Sequence, residues 1–111
     1  MNLEKLEKID SKKMFKVYDT WPDIAKKSYD QESSKLEFSD IDHIVFAGMG
    51  GSGTIGDTFS SILSKNDIHT SVVKGYLLPK TVDENTLVVV TSVSGNTQES
   101  LMILENSKNS Q

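Results

Sequence analysis

The sequence predicts an α/β protein, with an N-terminal helical arm followed by the first half of a doubly wound parallel sheet. Two short runs, Ile44-Val45-Phe46-Ala47 and Thr86-Leu87-Val88-Val89-Val90-Thr91, are apolar or β-branched along their length, as strands buried on both faces are. Each run ends in a Gly/Ser-rich turn that leads into a segment of helical period. Residues 1–42, by contrast, are dense in Lys, Glu and Asp, with apolar residues only at helical spacing.

In the arm, Leu3, Leu6 and Ile9 lie on one helical face, and Met14, Phe15 and Tyr18 repeat the spacing. Trp21-Pro22 interrupts the pattern. Proline is tolerated in a first helical turn, so a helix can restart there and run through Ile24, Ala25 and Tyr29. These residues are expected to form a solvated arm that packs on a domain through one stripe.

Beyond residue 43 the pattern changes. The run 44–47 passes into Gly48-Met49-Gly50-Gly51-Ser52-Gly53, a tight turn. Ile55, Phe59, Ile62 and Leu63 then mark a helix that Asn66-Asp67 ends. Residues 68–73 form a second strand candidate, followed by a loop with Gly75 and Pro79. The β-branched run 86–91 reads as a central strand. After Ser92-Val93-Ser94-Gly95-Asn96-Thr97 a last helix begins. Asn96 and Glu99 have the spacing of a capping pair, and Leu101, Leu104 and Ile103 are expected to face the sheet. Three strands fall short of the five or six usual in a doubly wound sheet, so the chain reads as a fragment, poorly stable alone.

Bulk composition narrows the function. The 111 residues hold twelve Lys, no Arg and sixteen acids, a formal charge of −4. That balance argues against a nucleic-acid platform but not against a phosphate ligand, which backbone N–H groups can hold without a charged side chain. No cysteine is present, so no disulfide or thiolate metal site is built. The charged start lacks the apolar core of a signal peptide, and no apolar run reaches membrane-spanning length. A soluble, cytoplasmic protein is expected.

Gly48, Gly50 and Gly53 satisfy G-x-G-x-x-G between a strand and a helix, which suits any phosphate at a helix N-terminus. A P-loop is excluded because Thr54, not Lys, follows Gly53. A dinucleotide site wants an acid about 20 residues on, where Val72, Val73 and Lys74 stand; Lys74 could suit a 2′-phosphate, so NADP stays a minor alternative. The second loop adds the hydroxyls of Ser92, Ser94 and Thr97 at another strand end. Ligands of open α/β sheets bind outside the carboxyl ends of strands, so both loops point to one shared anion. His43 precedes the first strand and His69 opens the second, both at the opposite end, so both read as surface histidines. Asp57 reads as a helix-surface acid or as support for the first loop.

Gly-Met-Gly-Gly-Ser followed by Ser-Val-Ser-Gly-Asn-Thr resembles the sugar isomerase (SIS) domain, a flavodoxin-like fold. With Asp57 after the first loop and Trp21-Pro22 in the arm, the chain most resembles the bifunctional phosphoglucose/phosphomannose isomerases of archaea and bacteria. The resemblance makes residues 43–111 the first, incomplete part of a SIS domain behind a helical arm of residues 1–42. It implies that Gly50, Gly51, Ser52, Ser92, Ser94 and Thr97 bind the phosphate of a sugar-phosphate substrate, with no cofactor and no metal. Val93 departs from the tyrosine common in the family and is not read as a ligand. The Gln98-Glu99 pair departs from a commoner acidic pair and is read as helix surface.

The resemblance further implies an aldose–ketose isomerase that interconverts glucose 6-phosphate or mannose 6-phosphate with fructose 6-phosphate. Family members carry two SIS domains and act as homodimers. Their acid–base residues, a glutamate, a histidine and a lysine with an arginine nearby, match nothing in this chain and are expected downstream. The chain alone is therefore expected to be inactive. A non-catalytic SIS sugar-phosphate sensor is disfavoured, since residues 1–42 hold eight Lys against ten acids and show no recognition helix. A SIS isomerase acting on amino-sugar or heptose phosphates stays open. No nucleic-acid or membrane partner is expected.

Overall fold

The computed structural model describes residues 3–31 and 35–108, and the chain divides into two compact units between Leu36 and Glu37. The first unit is helical: α1 (Leu3–Ile9), α2 (Met14–Asp19) and α3 (Trp21–Asp30). Its breaks have local causes. Lys13, at the N-cap of α2, is left-handed (φ 53°) and offers no side-chain cap. The cap comes from upstream instead, where the Asp10 carboxylate accepts the Phe15 N–H at 2.9 Å. The Met14 N–H, with that of Phe15, holds the Asp10 carboxyl below its ordinary pKa. Thr20 closes α2, its hydroxyl donating to the Val17 carbonyl at 2.7 Å. Trp21 then opens α3 with Pro22 in the first turn, where a missing N–H is harmless. No residue of these helices is buried.

The second unit runs β1 (His43–Ala47), α4 (Gly51–Leu63), β2 (His69–Val73), β3 (Thr86–Val90) and α5 (Gln98–Lys108). Its strands form a parallel sheet in the order β2-β1-β3, so β1 is the central strand and β3 flanks it. The register sets Ala47 beside Val73 and Val90, which ends the three strands level. The sheet reverses its winding direction between β1 and β3.

α4 meets the sheet through its small residues. Gly53 and Gly56 are the buried positions of this helix. A Cβ on Gly56 would stand 2.9 Å from Phe46 Cβ and 3.3 Å from Val72 Cγ1. One turn further, Ser60 Oγ lies 2.9 Å from Thr70 Oγ1. The apolar residues that mark the helix in the sequence, Ile55, Phe59 and Ile62, flank this contact and stay about half exposed, Phe59 stacking on Phe46 at 5.9 Å. Val45 alternates with Phe46 to the opposite face and is fully buried. α5 buries Ser100 and Ile103, while Leu101 and Leu104 remain 44% exposed, unlike the face expected for them. The anticipated Asn96–Glu99 cap does not form, because α5 begins at Gln98 and Glu99 takes the Tyr76 phenol, raising the Tyr76 pKa.

His43 differs from expectation too. It is 5% exposed, not at the surface. Its Nε2 lies 2.9 Å from Ser71 Oγ and its Nδ1 3.4 Å from Thr86 Oγ1, so flanking hydroxyls satisfy both ring nitrogens. His69, exposed as anticipated, lies against it with ring centroids 4.6 Å apart and the planes tilted by 49°. No helix among the described residues is long and apolar enough to cross a membrane.

Two outcomes follow from these contacts. Gly56→Ala should destabilise the protein by about 1–3 kcal/mol in urea unfolding, because its Cβ meets Phe46 at the stiff end of the side chain. Asp10 has a depressed pKa, so its stabilisation of α2 is complete above the ordinary carboxylate value near 3.9 and is lost as pH falls through the lower folded value. The Phe15 amide resonance should track that loss, and Asp10→Asn should weaken the pH dependence.

Candidate functional site

Two loops leave the level ends of β1 and β3 side by side. Pairing continues past the strands, with the Gly48 N–H donating to the Val73 carbonyl at 3.1 Å and the Thr91 N–H to the Ala47 carbonyl at 2.8 Å. The first loop turns abruptly at Gly50 (φ 55°, ψ −127°), a conformation that L side chains rarely adopt. The next residue already starts α4, so the helix begins earlier than its apolar period suggests, with Gly51 and Gly53 inside it. Close packing sets Gly53: a Cβ there would lie 2.7 Å from the Gly48 carbonyl oxygen and 3.0 Å from Lys74 Cε. The turn thus draws the α4 N-terminus, with its partial positive charge, onto the end of β1.

The second loop is held by its own hydroxyls. Ser92 Oγ accepts the Gly95 N–H at 3.1 Å, and Ser94 Oγ accepts the Asn96 N–H at 3.2 Å. Both oxygens also lie 3.3 Å from Thr97 Oγ1. Each contact with Thr97 uses one hydroxyl proton, so of the three protons in this cluster two close it internally and one is left to donate outward.

Between the loops lies a cleft of about 350 Å³, lined by residues of both. Of the expected phosphate-binding residues, Gly51, Ser52, Ser92, Ser94 and Thr97 line it. Gly50 does not; its contribution is the turn that aims the helix. Met49, Ile55, Thr91 and Val93 also line it and were not anticipated. Ile55 fits the helical period and Thr91 the strand run, so only the hydroxyl pattern signals Thr91.

No charged side chain is among the lining residues. Lys74, the cation beside the first loop, donates to Asp57 at 2.6 Å and lays its stem against Gly53. Asp57 is thus an ion-pair partner on the α4 surface. Neither histidine reaches the cleft: both sit at the opening ends of β1 and β2, a strand's length of about 13 Å away. Among the described residues no group of His, Asp and Glu could hold a metal.

A parallel α/β sheet that gathers a helix N-terminus and a hydroxyl-rich loop at its switch point has the layout of the open α/β domains that bind ligands outside the carboxyl ends of their strands. Comparison with known proteins makes this specific. The SIS domain family matches residues 37–111, and the chain belongs to that family. A bifunctional phosphoglucose/phosphomannose isomerase of Caldicellulosiruptor bescii is 35% identical over 99 residues, covering 86% of this chain and 29% of its own length. Its namesake in Aquifex aeolicus is 42% identical over 87 residues, covering 77% of this chain and 24% of its own length. That of Thermoplasma acidophilum is 44% identical over 63 residues, or 57% of this chain and 20% of its own length. The chain therefore spans between a fifth and a third of these relatives. No solved structure matches significantly.

Gly50→Ala isolates the turn, since its added Cβ would meet nothing within 4 Å. The substitution should cost about 1–3 kcal/mol in urea unfolding through backbone strain alone. Gly51→Ala, with equal space and helical backbone, should leave stability within about 1 kcal/mol of the parent in the same measurement.

Proposed function

We propose that the cleft holds the phosphate of a hexose phosphate, and that this chain is the phosphate-anchoring part of an isomerase interconverting glucose 6-phosphate or mannose 6-phosphate with fructose 6-phosphate. The observation that carries the reading is the meeting of the Gly50 turn with the Ser92–Ser94–Thr97 hydroxyls at one switch point. The Ser52 hydroxyl and the start of α4 approach from one side, and the three clustered hydroxyls of the second loop from the other. The names of the relatives supply the reaction class.

Aldose–ketose isomerisation moves a proton between C1 and C2 and needs a positioned acid and base. The cleft in this chain is lined by none: Glu99 is engaged by Tyr76, Asp57 by Lys74, and His43 by Ser71 and Thr86. The division of labour is therefore anchoring here, with proton transfer by residues of a longer protein of the relatives' size. That protein works in the cytoplasm as a homodimer.

Titration calorimetry of the 111-residue chain with glucose 6-phosphate tests the anchor. Ser92→Ala, Ser94→Ala and Thr97→Ala should each weaken binding about tenfold or more, the usual worth of a hydrogen bond to a charged group. Affinity should change little with ionic strength, because no charged side chain contributes. Absence of binding, or binding untouched by all three changes, would sink the reading. A coupled assay should find the chain alone without isomerase activity.

A further inference from the structure

The opening end of the sheet, away from the cleft, carries a hydrogen-bonded chain of its own. His43 on β1 is buried and stands in register with His69 on β2 and Thr86 on β3. Its Nε2 lies 2.9 Å from Ser71 Oγ and its Nδ1 3.4 Å from Thr86 Oγ1. Thr86 fixes the direction of each bond. Its one proton goes to Asp83 Oδ1 at 2.9 Å, and its oxygen also accepts the Asp83 N–H at 3.1 Å. Nδ1 of His43 can therefore meet Thr86 only as a donor. That leaves Nε2 of a neutral ring to accept the Ser71 O–H. The chain of donors runs from Ser71 through His43 and Thr86 to Asp83, and it ties both flanking strands to the central one.

A second proton on the ring breaks this order. It would take the place at Nε2 that the Ser71 proton fills, so Ser71 must turn from donor to acceptor. It would also put a charge in a buried position, which is costly unless an opposite charge meets it. On β2, His69 lies with its ring centroid 4.6 Å away and charges in the same pH range. Before β3, Asp83 is separated from the ring by Thr86 and also accepts the Asn85 N–H at 3.1 Å. Asp42, Asp67 and Glu84, in the segments that lead into the strands, form no ion pair with the ring. The helix α4, packed on β1 and β2, brings Asp57, which Lys74 holds. The helix α5, packed on β3, brings Glu99, engaged by Tyr76, and the exposed Glu105 and Lys108.

We propose that His43 is a proton switch: as a neutral Nδ1–H imidazole it ties β2 and β3 to β1, and on taking a proton at Nε2 it releases β2 and loosens the second unit. The device is independent of what the cleft binds. Stability is complete while the ring is neutral and is lost as pH falls through the range of about 5 to 8 in which imidazoles charge. With no cysteine in the chain, His43 and His69 are its only side chains that ordinarily titrate there.

Urea unfolding of the 111-residue chain between about pH 7.5 and 5, followed by the amide resonances of β1 and β2, tests the switch together with nitrogen NMR of the imidazoles at the higher pH. The ratio of folded to unfolded chain should fall at least about tenfold over that range, the effect over one pH unit of one proton bound only by the unfolded chain. His43 should carry hydrogen on Nδ1 and none on Nε2. His43→Asn keeps an amide donor without a titrating group and should flatten the pH dependence. His69→Gln, at an exposed position, should keep most of the fall. A pH-independent parent, the Nε2–H tautomer, a fall unchanged in His43→Asn, or one abolished by His69→Gln would overturn the switch. Should His43→Asn fail to fold, the parent's tautomer and the His69→Gln comparison decide between these outcomes.

Discussion

The approach of α4 to the sheet governs the rest of the second unit. Two buried glycines replace side chains at the interface, so the helix backbone comes down on Phe46 and Val72. That closeness places the first turn of the helix directly over the end of β1. It also forces the chain to leave β1 through a turn open only to glycine, at Gly50. A bulkier stripe would lift the helix and carry its N–H groups away from the strand end. Packing and ligand geometry therefore share one cause, and the third glycine of the motif serves the helix–strand contact more than the ligand.

Strand order supplies the other half of the site. With β1 between β2 and β3, the loop after β1 and the loop after β3 emerge as neighbours although forty residues separate them in sequence. The second loop arrives already organised, because backbone N–H groups fix two of its three hydroxyl oxygens. Preorganised donors bind an anion without first ordering themselves. The residues lining the cleft are uncharged, and Lys74, beside the first loop, is taken up by Asp57.

Much of this was legible in the chain. The strands show as β-branched or apolar runs, since residues buried on both faces of a parallel sheet have no polar alternation. Both loops show because few residue types suit a strained turn or a hydroxyl cradle. The faces of the helices were less legible. Ile55, Phe59 and Ile62 keep helical period, yet Gly53 and Gly56 make the contact, and in α5 Ser100 is buried while Leu101 and Leu104 are half exposed. Hydropathy ranks side chains by their transfer from water, whereas close packing here selects for small size. His43 was misread for a related reason: its burial depends on Ser71 and Thr86, hydroxyls that only strand pairing brings beside it.

By itself, the sequence determined the element types, the two Gly/Ser loops at strand ends and the absence of a charged residue within them, because each depends on local backbone preference and side-chain chemistry. The tertiary structure alone decided that β1 is central, that the loops share one cleft, that Lys74 pairs with Asp57, and that Met49, Ile55 and Val93 are among the residues lining the cleft. Those are relations between residues far apart in the chain, fixed by strand register and by how closely a helix can approach a sheet.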